Sequence, residues 1–279
     1  MRSPDYKFFK TSDEIKLRYR FKDSGKEKTI LFLHGFTGSV QDWLEISYAF
    51  ENQFNVAAID LIGHGGSDSP NDVKYYSEEN VVKQIFEFIN FLNLNFLILI
   101  GYSMGGRAAL SFYFSFPQKV GGLILESVSP GIENGDEKTA RLESDLLLAE
   151  KIETNGIKPF IDEWMELPLF SRLKNLSEEN YDKIVKQKYF NDKTGLANSL
   201  RGFGQGKTRS YWKRLAEIDI PVLLLSGEDD EKYTELNKRV HSLIPQSDQA
   251  IVNNSGHNIH LQNRDEFINL TKQFLNNHF

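Results

Sequence analysis

Three features of this 279-residue sequence predict a mostly parallel α/β sheet with helices on both faces and one helical insertion. Short apolar-rich runs at 29–33, 56–59, 96–100, 121–126 and 221–226 have the length and continuity of strands covered on both faces. Helix-like segments alternate with these runs up to about residue 129, as crossover connections in a parallel sheet require. From 130 to 210 the alternation stops, and helical segments follow one another with no buried strand between them. The core is therefore expected at 1–129 and 211–279, with a helical cap at 130–210 inserted after the sixth strand.

Ile15-Lys16-Leu17-Arg18-Tyr19-Arg20-Phe21 alternates apolar and polar residues, the period of a strand with one wet face, and Asp23-Ser24-Gly25 ends it as a turn. An antiparallel edge hairpin is expected there, which brings the sheet to eight strands. The next run, 29–33, leads into His34-Gly35-Phe36-Thr37-Gly38, and 56–59 leads into Asp60-Leu61-Ile62-Gly63-His64-Gly65-Gly66-Ser67. Glycine-rich loops at the C-terminal ends of strands are where open α/β sheets hold ligands. From 78 to 94, Val81, Val82, Ile85, Phe88, Ile89 and Leu92 make a helical stripe with Ser77 as its N-cap. Cap helices are expected at 140–152, 157–164 and 178–191, with Arg201 preceding a glycine loop at 202–206. A helix at 233–244, a strand at 249–252 and a helix at 265–275 complete the pattern.

Composition narrows the functional classes. The net charge of −6 lacks the basic surplus that phosphate neutralisation needs, so nucleic acid is not an expected partner. No apolar run approaches the roughly 18 residues that span a bilayer, so membrane insertion is not expected. There are no cysteines, which rules out disulfides and thiolate metal ligands. Met1-Arg2-Ser3-Pro4-Asp5-Tyr6-Lys7 lacks the apolar stretch of a signal peptide, so cytoplasm is the expected compartment.

Gly101-Tyr102-Ser103-Met104-Gly105 joins the run 96–100 to a helix-like segment at 106–116 that Pro117 closes. A buried strand that turns at once into a helix strains its central residue, and the flanking glycines admit close backbone approach. Ser103 is thereby presented as a nucleophile, beneath the free N–H groups of the following helix. A serine hydroxyl needs a histidine to take its proton and an acid to orient that histidine. His257, just past the last strand, falls at the same end of the sheet, whereas His241 is helical, His278 is terminal, and His34 and His64 lie in earlier loops. The acid is expected in Gly227-Glu228-Asp229-Asp230-Glu231, where spacing does not separate Asp229 from Asp230. Loop position assigns the oxyanion-hole amides to Phe36 and Met104. Arg107, one helical turn beyond the serine, together with Arg141 and Arg201, suggests a small substrate carrying several carboxylates.

Together these residues resemble the α/β-hydrolase superfamily over almost the whole chain. Within it they resemble the 2-succinyl-6-hydroxy-2,4-cyclohexadiene-1-carboxylate (SHCHC) synthases of menaquinone biosynthesis. The resemblance is carried by His34-Gly35-Phe36-Thr37-Gly38-Ser39, Gly101-Tyr102-Ser103-Met104-Gly105-Gly106-Arg107, Leu125-Glu126-Ser127-Val128-Ser129-Pro130-Gly131, Trp164 ahead of Pro168-Leu169-Phe170, and Leu200-Arg201-Gly202. Gly227-Glu228-x-Asp230-x-Lys232-Tyr233 and Gly256-His257-x-x-His260-Leu261 complete it. It implies the α/β-hydrolase fold and a Ser103–Asp230–His257 triad. It also implies Arg107, Arg141 and Arg201 on substrate carboxylates, and Tyr102 and Trp164 lining the pocket. The implied reaction eliminates pyruvate and requires neither cofactor nor metal. Two departures stand out: Ile62 replaces the family's usual proline, and Gln205 with Lys207-Thr208-Arg209 replaces a Thr and Gln-Pro stretch. The same triad would also serve a carboxylester or carbon–carbon bond hydrolase acting through an acyl-enzyme, or remain in a receptor that binds without turnover.

Overall fold

One sheet is built from Tyr6–Lys10 (β1), Lys16–Lys22 (β2), Lys28–Leu33 (β3), Asn55–Ile59 (β4), Phe96–Tyr102 (β5), Val120–Glu126 (β6), Val222–Gly227 (β7) and Ser247–Val252 (β8). The computed structural model describes residues 5–279, so Met1-Arg2-Ser3-Pro4 of the leader expectation lie outside the described residues. The strand order is β1-β2-β4-β3-β5-β6-β7-β8. β2 pairs antiparallel with β1 and β4, and every other pairing is parallel. Leu44–Ser47 (α1), Glu78–Phe91 (α2) and Met104–Ser115 (α3) precede four helices between β6 and β7: Gly135–Asn155 (α4), Ile157–Trp164 (α5), Glu178–Lys188 (α6) and Lys193–Phe203 (α7). Glu231–His241 (α8), Ile259–Gln262 (α9) and Arg264–His278 (α10) follow.

Successive strand residues point to opposite faces, so the apolar runs feed two separate cores. Leu31, Leu33, Leu97 and Leu99 pack with Phe88 and Phe112 of α2 and α3 on one face. Ile30, Phe32, Ile98 and Ile100 pack with Trp43, Phe267 and Phe274 on the other. Each such side chain contributes roughly 1.5–3 kcal/mol on burial, which is why the central strands read as continuous apolar runs. A third cluster, including Ile152, Phe160, Ile161, Leu173 and Leu200, belongs to the helices between β6 and β7. The sequence departure Ile62 is buried in the first core.

Two elements differ from the sequence expectation. β1 supplies the outer strand of the edge hairpin, pairing Tyr6 with Arg20 through Lys10 with Lys16. Beyond α6, which ends at Lys188, the chain forms another helix, α7, so Gly202 and Phe203 are helical and do not belong to a loop. Asp192 starts α7 by accepting from the Gly195 amide. Its two glycines, unfavourable for a helix by about 1 kcal/mol each, are explained by what lies against them. A Cβ at Gly202 would sit 2.6 Å from the Cβ of Tyr76, and one at Gly195 would strike the backbone of Gly63.

Candidate active site

The loops after β3, β5, β7 and β8 all leave the C-terminal edge of the sheet, where β3 lies beside β5 with Leu33 opposite Gly101. At the end of β5 the chain reverses into α3 within one residue. Ser103 takes φ 49°, ψ −106°, a combination that L-residues avoid, and its amide donates to the Glu126 carbonyl at 2.9 Å. The turn closes only because a Cβ at Gly101 would lie 2.5 Å from the Cα of Gly106, and one at Gly105 would run into the Leu33 carbonyl. His257 Nε2 stands 3.2 Å from Ser103 Oγ, and His257 Nδ1 stands 2.7 Å from Asp230 Oδ2. Both His257 and Asp230 are buried. Their loops are tied together, since the Glu228 amide donates to the Val252 carbonyl and the Asp229 amide to the Ser255 carbonyl, each at 2.9 Å. Asp229 faces outward and pairs with Arg172. The two adjacent carboxylates thus have different partners.

A cavity of about 290 Å³ lies over Ser103. Phe36, Tyr102, Met104, Arg107, Arg141, Trp164, Asp230 and His257 all line it. The Tyr102 ring sits edge-on to His257 at 5.3 Å, in space left by the missing side chain of Gly35. Burial, reinforced by the Glu126 and Asp230 carboxylates, raises the Tyr102 hydroxyl well above the ordinary range, so it stays protonated. Arg107 donates from one nitrogen to the Phe203 carbonyl at 2.9 Å and to Thr208 Oγ1 at 3.2 Å. No carboxylate forms an ion pair with it among the described residues. Burial and then the nearby Arg141 charge pull its guanidinium down to about 10, which leaves it cationic at neutral pH. A recessed cation with no carboxylate partner, facing a cavity, has the charge and donors that favour an anion.

A family model described as the alpha/beta hydrolase fold matches residues 28–264. A Bacillus subtilis (strain 168) protein provisionally named as an SHCHC synthase is 39% identical over 93% of this chain and 95% of its own length. The chain belongs to the α/β-hydrolase family. An SHCHC synthase of Klebsiella pneumoniae (strain 342) is 28% identical over 88% of this chain and 93% of its own. Among solved structures, MenH from S. aureus superposes with a TM-score of 0.88 at 31% identity, covering 98% of both chains. The enol-lactonase of Burkholderia xenovorans LB400 has a TM-score of 0.83 at 18% identity over 97% of this chain and all of its own, a likeness of fold alone.

On this α/β-hydrolase framework one expected substrate residue is misplaced. Arg201 does not line the cavity: its two terminal nitrogens each hold a Glu153 carboxylate oxygen at 2.6 Å, because position 201 on α7 faces α4. Arg141 lines the cavity with its charge already shared, donating to Asp145 at 2.7 Å and to Gln205 Oε1 at 2.5 Å. Gln205, a departure from the family pattern, therefore holds a cavity arginine. Lys232 and Tyr233 line the cavity as well, and the Tyr233 ring lies 4.7 Å from His257. Both follow Asp230 in the Gly-Glu-x-Asp-x-Lys-Tyr stretch, and that adjacency is the signal for them. His260 is buried with its Nδ1 2.8 Å from Glu126 and its ring stacked on Trp43 at 4.3 Å.

Proposed function

We propose that this chain is an SHCHC synthase of menaquinone biosynthesis, acting on 2-succinyl-5-enolpyruvyl-6-hydroxy-3-cyclohexene-1-carboxylate with a Ser103–His257–Asp230 triad. The observation that carries this reading is Arg107: a half-buried guanidinium without a carboxylate partner among the described residues, one helical turn from Ser103, in the wall of the cavity over that serine. An uncharged ester would leave that cation unanswered, whereas a substrate with several carboxylates neutralises it. The named relatives point the same way and favour the synthase over a hydrolase with the same triad.

In the proposed reaction, His257 takes the Ser103 proton while Asp230 holds its imidazole in the required tautomer. Ser103 then removes the proton on the carbon beside the succinyl carbonyl. The C–H electron pair moves through the ring, the bond from the ring to the enolpyruvyl oxygen breaks, and the departing enolpyruvate takes a proton on carbon to become pyruvate. Charge gathers on the succinyl oxygen, where the Phe36 and Met104 amides are suited to receive it, each worth a few kcal/mol in the transition state. Arg107 and Arg141 hold carboxylates, and Tyr102 and Trp164 wall the ring. We also assign the domain division to 1–129 with 211–279 and a cap at 130–210, and the compartment to cytoplasm. Among the described residues no helix is long and apolar enough to cross a membrane.

The direct test is pyruvate release from the enolpyruvyl substrate, followed with coupled lactate dehydrogenase. Ser103→Ala should lower kcat by at least about 10³-fold. Near-normal pyruvate release by that variant would refute the serine's role, and a nitrophenol burst from small esters with no pyruvate would replace the synthase with a hydrolase.

A further inference from the structure

Thr37 follows the amide assigned to the oxyanion hole and holds a conformation that its side chain disfavours. Its φ is 65°, the left-handed region, which is a true outlier for a β-branched residue, and it is only 2% exposed. Such a residue persists where its surroundings over-determine it, and here two of the constraints come from the cap. Lys188, the last residue of α6, donates from Nζ to Thr37 Oγ1 at 3.3 Å. Asn191 donates from Nδ2 to the Thr37 carbonyl at 3.0 Å and to the Lys188 carbonyl at 2.9 Å. Its Oδ1 accepts from the Gly65 amide at 2.9 Å, which fixes the amide's orientation and ties in the second glycine loop of the core.

Lys188 is unlike the other lysines of its helix. Lys183 and Lys186 are exposed and pair with Glu45 and Asp182, whereas Lys188 is 5% exposed with no carboxylate at ion-pair distance among the described residues. Favouring the C-terminus of α6 does not require burying an ammonium, since a solvated lysine would do so equally well. Burial lowers its basicity, with Asp42 partly opposing that shift. A buried amine aimed at a strained threonine instead has a positional role.

We propose that Lys188 and Asn191 form a latch from the cap onto Thr37, so that the Phe36 amide is held in its oxyanion-hole position only while the cap is docked. They are positioning residues, and the catalytic part of the proposal rests on the reading of Phe36 as an oxyanion donor. The test compares wild type with Lys188→Met, Asn191→Ala, Thr37→Val and the Lys188→Met/Thr37→Val double variant. Each is measured for pyruvate release and for amide hydrogen exchange in the segment 34–39. In Lys188→Met and Asn191→Ala the latch requires faster exchange in that segment with unchanged exchange in β5 and α2. It also requires a kcat about tenfold lower with KM within about twofold, part of the loss expected for a missing oxyanion donor. The double variant should be no worse than the poorer single variant, because both remove one contact. Unchanged exchange at 34–39, or kcat losses that add in the double variant, would overturn the latch. Asn191→Ala leaves the buried amine in place and carries the same test should Lys188→Met not fold. If wild type releases no pyruvate the synthase reading falls, while the exchange data still decide whether the cap holds this loop.

Discussion

Arg107 and Arg201 are both arginines on helices near the cavity, and their partners give them opposite consequences. Arg107 has no carboxylate and faces the cavity, so Arg107→Ala should raise KM roughly 10- to 100-fold, the loss of one charged hydrogen-bonding group worth about 1.5–3 kcal/mol. Arg201 is paired with Glu153 in a half-exposed bridge, so Arg201→Ala should leave KM unchanged and cost at most about 1 kcal/mol in thermal unfolding. Arg107 also predicts a pH dependence. Burial depresses its guanidinium to about 10, and the cation exists below that value, so affinity for the anionic SHCHC product is present below pH 10 and lost as pH rises through it. Calorimetric titration of SHCHC should show Kd weakening by up to about tenfold per pH unit above that point, with no such limb in Arg107→Met. Which way each arginine faces was not readable from the sequence. Both sit in glycine-containing stretches, and only the packing of α7 on α4 decides that position 201 meets Glu153. Likewise nothing in Glu228-Asp229-Asp230 distinguishes two adjacent carboxylates until the fold turns one toward His257 and the other toward Arg172.

The strand-turn-helix unit around Ser103 keeps its serine in a conformation that glycine adopts freely. Ser103→Gly should therefore be inactive in pyruvate release and more stable than wild type. Relief of about 1–3 kcal/mol of strain outweighs the added freedom of the unfolded chain, and scanning calorimetry should show Tm higher by about 2–4 °C. This unit was readable because its glycines are required by backbone contacts, at Gly101 against Gly106 and at Gly105 against Leu33, and so leave a fixed spacing. β3 to β7 were readable because burial on both faces demands unbroken apolar sequence. β1 was not, since Tyr6-Lys7-Phe8-Phe9-Lys10 lies at the sheet edge, where only Phe9 is buried. α7 was hidden by Gly195, Asn198 and Gly202, which read as loop residues. Each serves a tertiary contact, and Asn198 donates to the Pro70 and Asn71 carbonyls at 3.2 and 3.1 Å.

At the level of the whole molecule, the helices between β6 and β7 have their own apolar cluster, yet they meet the rest of the chain through close backbone contacts of α7 with Gly63 and Tyr76. Gly202→Ala should push α7 off Tyr76 and carry with it Leu200 and Phe203, which line the cavity. We expect a loss of about 1–3 kcal/mol in stability and a raised KM, against little change for an alanine at Gly135, where a Cβ would meet nothing within 4 Å. Denaturant unfolding paired with steady-state kinetics checks both. Ser103 and His257 lie 154 positions apart, more than half of the polypeptide, with α4 to α7 between them. A chain leaving the ribosome exposes its serine first and acquires its histidine near the end of translation, when most of the sheet already has partners. On the proposed triad, nascent or prematurely terminated products therefore hold an unactivated hydroxyl, and reactivity appears as a late event in the life of each molecule.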